Sequence, residues 1–252
     1  MPAKPSFHDH FSAVAAQYAS ARPEYPDALF AWIASIAPAR EQLWDAGCGS
    51  GQASRGLAPY FAQVHATDPS AAQVAQATAP ANVRFAVEPG ERCHLPDASV
   101  DAICVAQALH WFDRAAFFIE CERVLRPDGV LVAWGYQDIE VPACIAAANQ
   151  MLQDEIQPYW PPERTLIDAA YADFDWPFAR LDAPVLDLTA QWTLPRLLGY
   201  FASYSASKRL REASGRDAVA AHAAAFADGW GDPDIVRGVR WPMFVHARRK
   251  GG

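Results

Sequence analysis

The stretch "QLWDAGCGSGQAS", Gln42 to Ser54, places an acid directly before three alternating glycines: Asp45, then Gly47, Gly49 and Gly51. Glycines let a backbone approach a ligand that side chains would hold off, and a helix that follows offers free amides. A dinucleotide turn has GxGxxG, with the pyrophosphate on the helix end. Here the spacing is GxGxG, Gln52 stands where the dinucleotide pattern has its third glycine, and no phosphate-gripping lysine follows. Asp45 would repel a pyrophosphate but suits an ammonium group. A second acid, Asp68 in "VHATDPS", ends the next apolar run. A carboxylate at a strand end can accept from both hydroxyls of a ribose.

An ammonium group at one end and a ribose at the other describe S-adenosylmethionine. The plain alternative is that Asp68 caps the helix starting near Ser70 and the glycines only make a tight turn.

The elements that must carry these residues follow from hydrophobic periodicity. Short apolar runs at 42–46, 62–67, 83–87 and 100–106, and then "DGVLVAWGY", read as strands. Helical patterns at 51–58, 70–77 and 113–124 alternate with them, which indicates a parallel sheet covered on both faces. Before them lie two helical runs, "FSAVAAQYAS" and "PDALFAWIASIA", the second opened by Pro26. Residues 140–180 read as helical and aromatic, interrupted by Pro161 and Pro162. Strands at 183–192 and 239–248 flank a helical stretch from 195 to 227.

Composition narrows the classes. The 252 residues are 52% hydrophobic and 20% charged, as in a folded globule. A net charge of -8 argues against a nucleic-acid partner, and the one basic cluster is the terminal "ARRKGG". No run approaches the ~18 apolar residues of a membrane helix. Five cysteines without CxxC spacing fit a reducing, cytoplasmic setting and give no zinc pattern. No pair of the seven histidines has metal-ligand spacing on one helix face, so no metal is expected.

"LWDAGCGSG", "ATDPS", "LPDASVDAICVAQALHWFD" and "ECERVLRPDGVLVAWGY" together resemble a class I S-adenosylmethionine-dependent methyltransferase. The opening "YASARPEYP" is similar to the branch that includes trans-aconitate methyltransferases. These motifs span residues 11–138, about half the chain, and the tail is far less diagnostic.

The resemblance implies a Rossmann-like α/β fold. Its sheet would be mostly parallel and seven-stranded, with helices on both faces and a helical cover over the ligand edge. It implies one domain over 1–252: an N-terminal lid (1–40), a cofactor-binding core (41–138), a cover (139–182 and 194–232) and late strands (183–193 and 233–250).

It also assigns roles. Asp45, Gly47, Cys48 and Gly49 would hold the methionine portion, Asp68 the ribose, and Pro69 would pack beside the adenine. Gly90 and Glu91 would edge the adenine, and Gln107 would lie beside the sulfonium. Tyr18 and Arg22 would fold over the cofactor. Pro89 departs from the family pattern, since many relatives carry an acid there that accepts from the adenine amino group; Glu91 is the available substitute.

The acceptor would be a small molecule, and the chain a monomer or homodimer. Trp111 and Tyr136 would line the acceptor site. His110 is the candidate general base, with a packed histidine that orients its loop as the alternative. Among the tryptophans, Trp32, Trp44 and Trp134 read as core, while Trp111, Trp160, Trp192 and Trp230 fall where they could line a cavity. A small carboxylate acceptor needs no base, and Arg22, Lys208, Arg209 and Arg211 are candidate anion-binding groups. A phenol or amine acceptor is the alternative. A nicotinamide oxidoreductase and a catalytically idle cofactor-binding module are the rival classes.

Overall fold

The computed structural model describes residues 23–78 and 80–252. Tyr18, Arg22 and the first helical run lie outside them. The parallel part of the sheet contains β1 (Gln42–Ala46), β2 (Gln63–Asp68), β3 (Val83–Val87), β4 (Val100–Ala106) and β5 (Leu125–Tyr136). Helices α1 (Asp27–Ile36), α2 (Gln52–Leu57), α3 (Ala71–Gln76) and α4 (Arg114–Val124) belong to the same half. Pro26 stands at the N-cap of α1.

The C-terminal half begins with α5 (Ala146–Ile156) and α6 (Arg164–Asp168), then β6 (Ala179–Leu181) and β7 (Asp187–Trp192). Three helices follow, α7 (Leu194–Ala202), α8 (Ser205–Ser214) and α9 (Ala218–Trp230), and the last element is β8 (Arg237–Arg249).

The strand order is β3-β2-β1-β4-β5-β8-β6, with β7 also pairing β8. Strands β1 to β5 run parallel, and β8 is antiparallel to β5, β6 and β7. The described sheet therefore has eight strands rather than the expected seven. The run at 183–192 is not one strand: β6 precedes it, and Pro184, which has no N–H to donate to a ladder, falls in the gap before β7.

Period-two alternation sorts the strands onto two cores. Trp44, Ile103, Val105 and Leu131 face Phe117 and Cys121 of α4. Leu43, Cys104, Val132 and Trp134 face Leu29, Phe30 and Ile33 of α1 and Leu57 of α2. A third core, built on Leu152, Phe201, Phe226, Trp192, Trp230 and Trp241, knits the C-terminal helices to β7 and the first half of β8. Because strand order reverses between β1 and β4, their carboxyl ends open a crevice where ligands settle in such sheets.

Candidate active site

The turn after β1 needs its glycines. Gly47, Gly49 and Gly51 have φ of 73°, 55° and 81°, the left-handed region. A Cβ on Gly47 would stand 2.6 Å from Ala108 Cβ, and one on Gly51 would stand 2.7 Å from the Phe85 ring. The amides are engaged internally. Gly47 and Cys48 N–H both donate to the Thr67 carbonyl (2.8 and 2.9 Å), and Gly49 N–H donates to Asp68 Oδ2 (2.9 Å). Two parallel strand ends are thereby laced together. What the turn offers a ligand is a surface with few side chains.

Asp45 is fully buried at the end of β1. Its Oδ2 accepts from Ser54 Oγ of α2, while Oδ1 has no partner. Burial raises its pKa from 3.8 to about 7; the Ser54 hydrogen bond opposes that shift and the charge of Asp68 adds to it. A buried carboxylate with an open acceptor is costly unless a cation meets it. The residues present fit the ammonium end of S-adenosylmethionine on this ground.

Asp68 serves the turn as well as any ligand. Its Oδ1 accepts from Ser70 N–H (2.8 Å), and Ser70 Oγ caps α3 by accepting from Gln73 N–H. Pro69 is held between these two. The buried Cys48 thiol points back at the Gly49 carbonyl, and burial pushes its pKa well up.

On the next strand end, Glu91 accepts from Asp113 N–H (2.7 Å), which ties its loop to the start of α4. One oxygen of its carboxylate is thus occupied. A Cβ on Gly90 would meet the Phe112 ring at 2.7 Å. The buried acid of this loop is Glu88, whose carboxylate meets His65 Nε2 at 3.1 Å and His94 Nδ1 at 2.6 Å. Burial alone would raise its pKa, but the hydrogen bonds from His94 and His65 outweigh that and lower it. Sequence reading missed Glu88, although an acid one place before Pro89 was the available signal.

Gln107 follows β4 with φ of 53°. Its side-chain Oε1 accepts from Tyr136 N–H (2.9 Å) and its Nε2 donates to the Tyr136 carbonyl (3.3 Å). The amide therefore clasps the end of β5, and the Gln107 backbone N–H also donates to β5, at the Trp134 carbonyl (2.8 Å). Gly135 makes room for it, since a Cβ there would lie 2.5 Å from Gln107 Oε1.

His110 lies on the short turn Leu109–Trp111, with the Trp111 ring 4.8 Å away. Its Nδ1 is 2.9 Å from the hydroxyl of Tyr171, a residue the sequence did not single out. Burial and the nearby Arg164 charge lower the His110 pKa to about 3. Tyr171 and its neighbour Ala170 both have positive φ, 56° and 50°. That turn is fixed by Phe174 stacked on Tyr171 at 4.6 Å and by His246 donating to the Ala170 carbonyl (2.7 Å). Arg164, also missed, pairs with Asp138 and Asp168 and lies over the Trp160 ring. Tyr136 is buried, its ring 6.5 Å from that of Tyr25.

Of the tryptophans expected to line a cavity, Trp111 and Trp160 keep partly exposed faces, whereas Trp192 and Trp230 are buried in the third core. Among the described residues there is no group of three metal-ligating side chains, and no helix long and apolar enough to cross a membrane.

Residues 44–133 match a family described as a methyltransferase domain. A Dictyostelium discoideum protein named as a methyltransferase is 32% identical over 87% of this chain and 85% of its own length. The chain belongs to the class I S-adenosylmethionine-dependent methyltransferases. The solved structure of a type II methyltransferase from Anaeromyxobacter dehalogenans is 41% identical, with a TM-score of 0.86, over 92% of this methyltransferase and 99% of that chain. The 2-methyl-6-phytyl-1,4-hydroquinone methyltransferase of Synechocystis is 31% identical over 73% of this chain and 60% of its own. The nicotinamide reading is set aside by these likenesses.

Proposed function

We propose that this methyltransferase forms a methyl ester on a small-molecule carboxylate. The observation that carries the proposal is the state of His110. A catalytic base works best with a pKa near the operating pH, and a histidine held near 3 is neutral but a weak proton acceptor at pH 7. A carboxylate is already ionised and needs no base. The resemblance of "YASARPEYP" to enzymes that esterify polycarboxylates supports the same reading.

When bound, S-adenosylmethionine supplies an electrophilic methyl group on a sulfonium. Asp45 would receive its ammonium, and Asp68, fixed by Gly49 and Ser70, would receive ribose hydroxyls. His110, locked by Tyr171, and Trp111 orient the acceptor and exclude water, so that positioning provides most of the acceleration. A pH–rate profile over pH 6–8, at saturating S-adenosylmethionine, on a panel of acids, phenols and amines tests this. Turnover of an acid with a flat profile, and a loss of less than about tenfold in His110→Ala, is the expected result. A second reading, a phenolic acceptor, is favoured by the likeness to the hydroquinone enzyme. It requires no turnover of any acid and a His110→Ala loss of about 10²–10⁴-fold on a phenol.

A further inference from the structure

The far edge of the sheet carries a second charged feature, which methyl transfer does not use. Arg180 on the edge strand β6 and Arg248 on β8 are cross-strand partners. Side chains so paired stand about 5 Å apart at Cβ and project from the same face. Arg248 is only 8% exposed. Its Nη1 donates to the Ala247 carbonyl, and its guanidinium lies 4.7 Å over the Trp176 ring. Trp176 in turn stacks on His246 at 4.9 Å and 20°. Arg114 lies over the neighbouring Phe174 ring at 4.5 Å.

A buried guanidinium normally has a carboxylate beside it. Among the described residues none reaches Arg248 or Arg180, and the charge that acts on Arg248 is the like charge of Arg180. The acids nearest in sequence, Asp173, Asp175 and Asp182, form no ion pair with either arginine. Glu122, on the adjoining α4, pairs with Lys250 instead. His246 brings no negative charge in either protonation state, and burial lowers its pKa. Two like charges are thus set side by side, Arg248 removed from water over an aromatic ring with one N–H given to a backbone carbonyl, and neither guanidinium meets a carboxylate among the described residues. Burying a cation in this way is unfavourable until an anion completes it.

We propose that Arg180 and Arg248 form a binding site for a phosphate-type oxyanion, separate from the methyl-transfer crevice. A doubly charged tetrahedral anion offers enough oxygens to accept from two guanidinium forks and neutralises both. The site is separate because Arg248 pairs with Leu131, while the crevice lies at Tyr136. Five strand positions separate them, roughly 17 Å.

Calorimetric titration of the full chain with inorganic phosphate, at ionic strength held constant with chloride, tests the proposal. The expected result is one saturable site in the wild type, weakened at least tenfold in Arg180→Gln and in Arg248→Gln. The control is Arg84→Gln, an exposed arginine on β3 at the opposite edge, which should bind like the wild type. Arg180 is exposed, so its variant tests the site even if Arg248→Gln fails to fold. No saturable binding in the wild type, or the same binding in all four proteins, would overturn it.

Discussion

The parallel half of the molecule and its C-terminal cover handle their charged residues in opposite ways. In the parallel half, two carboxylates are fully buried, those of Asp45 and Asp101. Asp45 is sealed against Ser54, and Asp101 on β4 accepts from Glu41 and Gln42 N–H and pairs with Arg126. In the cover the charges stand at the rim, as in Glu155 with Arg216 and His222, or Arg211 with Asp217. Glycines vary within each half. Gly47, Gly51, Gly90 and Gly135 are jammed against neighbours, and a Cβ on Gly229 of α9 would clash with the Cys144 carbonyl, while Gly199 on α7 has nothing within 4 Å. The turn after β1 is thus committed to one backbone geometry, while position 199 in the cover can accept change.

The contrast predicts a ranked set of outcomes. The largest is for Gly47→Val, which adds a β-branched side chain at positive φ and 2.6 Å from Ala108. Left-handed strain and overpacking together should cost about 3–5 kcal/mol in urea unfolding. A loss under about 1 kcal/mol would show that the turn is not committed as described.

Next is Asp45→Asn. The folded-state pKa near 7 lies above the ordinary 3.8, so between those values the native state holds a proton that the unfolded chain has released. Stability of the free protein should therefore fall as pH rises through that window, by at most about 1.4 kcal/mol per unit, and level off above about 7. Asn should flatten this slope while weakening S-adenosylhomocysteine binding about tenfold to a hundredfold, the range for a hydrogen bond to a charged group. Wild-type affinity should rise with pH from 6 to 8 as the carboxylate ionises to meet the ammonium. Equal slopes and equal affinities in both proteins would remove Asp45 from the site.

The smallest effect is expected in the cover. Gly199→Ala places a methyl in open space within a helix and should stabilise the fold by about 0.5–1 kcal/mol, with turnover unchanged. Destabilisation there would mean the cover is packed as tightly as the sheet.

The same contrast explains what could be read from the sequence. Strands β1 and β4 lie at 42–46 and 100–106 as their apolar runs indicate, because each is buried on both faces; the half-exposed edge strand β3 also lies at 83–87, where its run placed it. The cover was harder: a ladder gap at Pro184 and strand β6 have no periodic signature. Site residues divide likewise. Asp45 and the glycines announce themselves by spacing, whereas Tyr171 meets His110 across 61 positions and His246 meets Ala170 across 76. Contacts of that range arise from packing of finished elements, and no local pattern encodes them. Gln107 shows the reverse hazard. Its position beside the crevice was legible, but its side chain is taken by the Tyr136 peptide.

Strand β8 is the antiparallel partner of β5, β6 and β7, and that places a constraint on biosynthesis. Arg249 donates to the Asp128 carbonyl across 121 positions, so β5 leaves the ribosome long before the strand that covers its side. At about 5–20 residues per second the delay is roughly 6–24 s. During it, the apolar run from Val130 to Tyr136 is an open strand edge, a template for pairing with other chains. The yield of folded enzyme is then a race between the chain's own last strand and whatever else reaches β5 first.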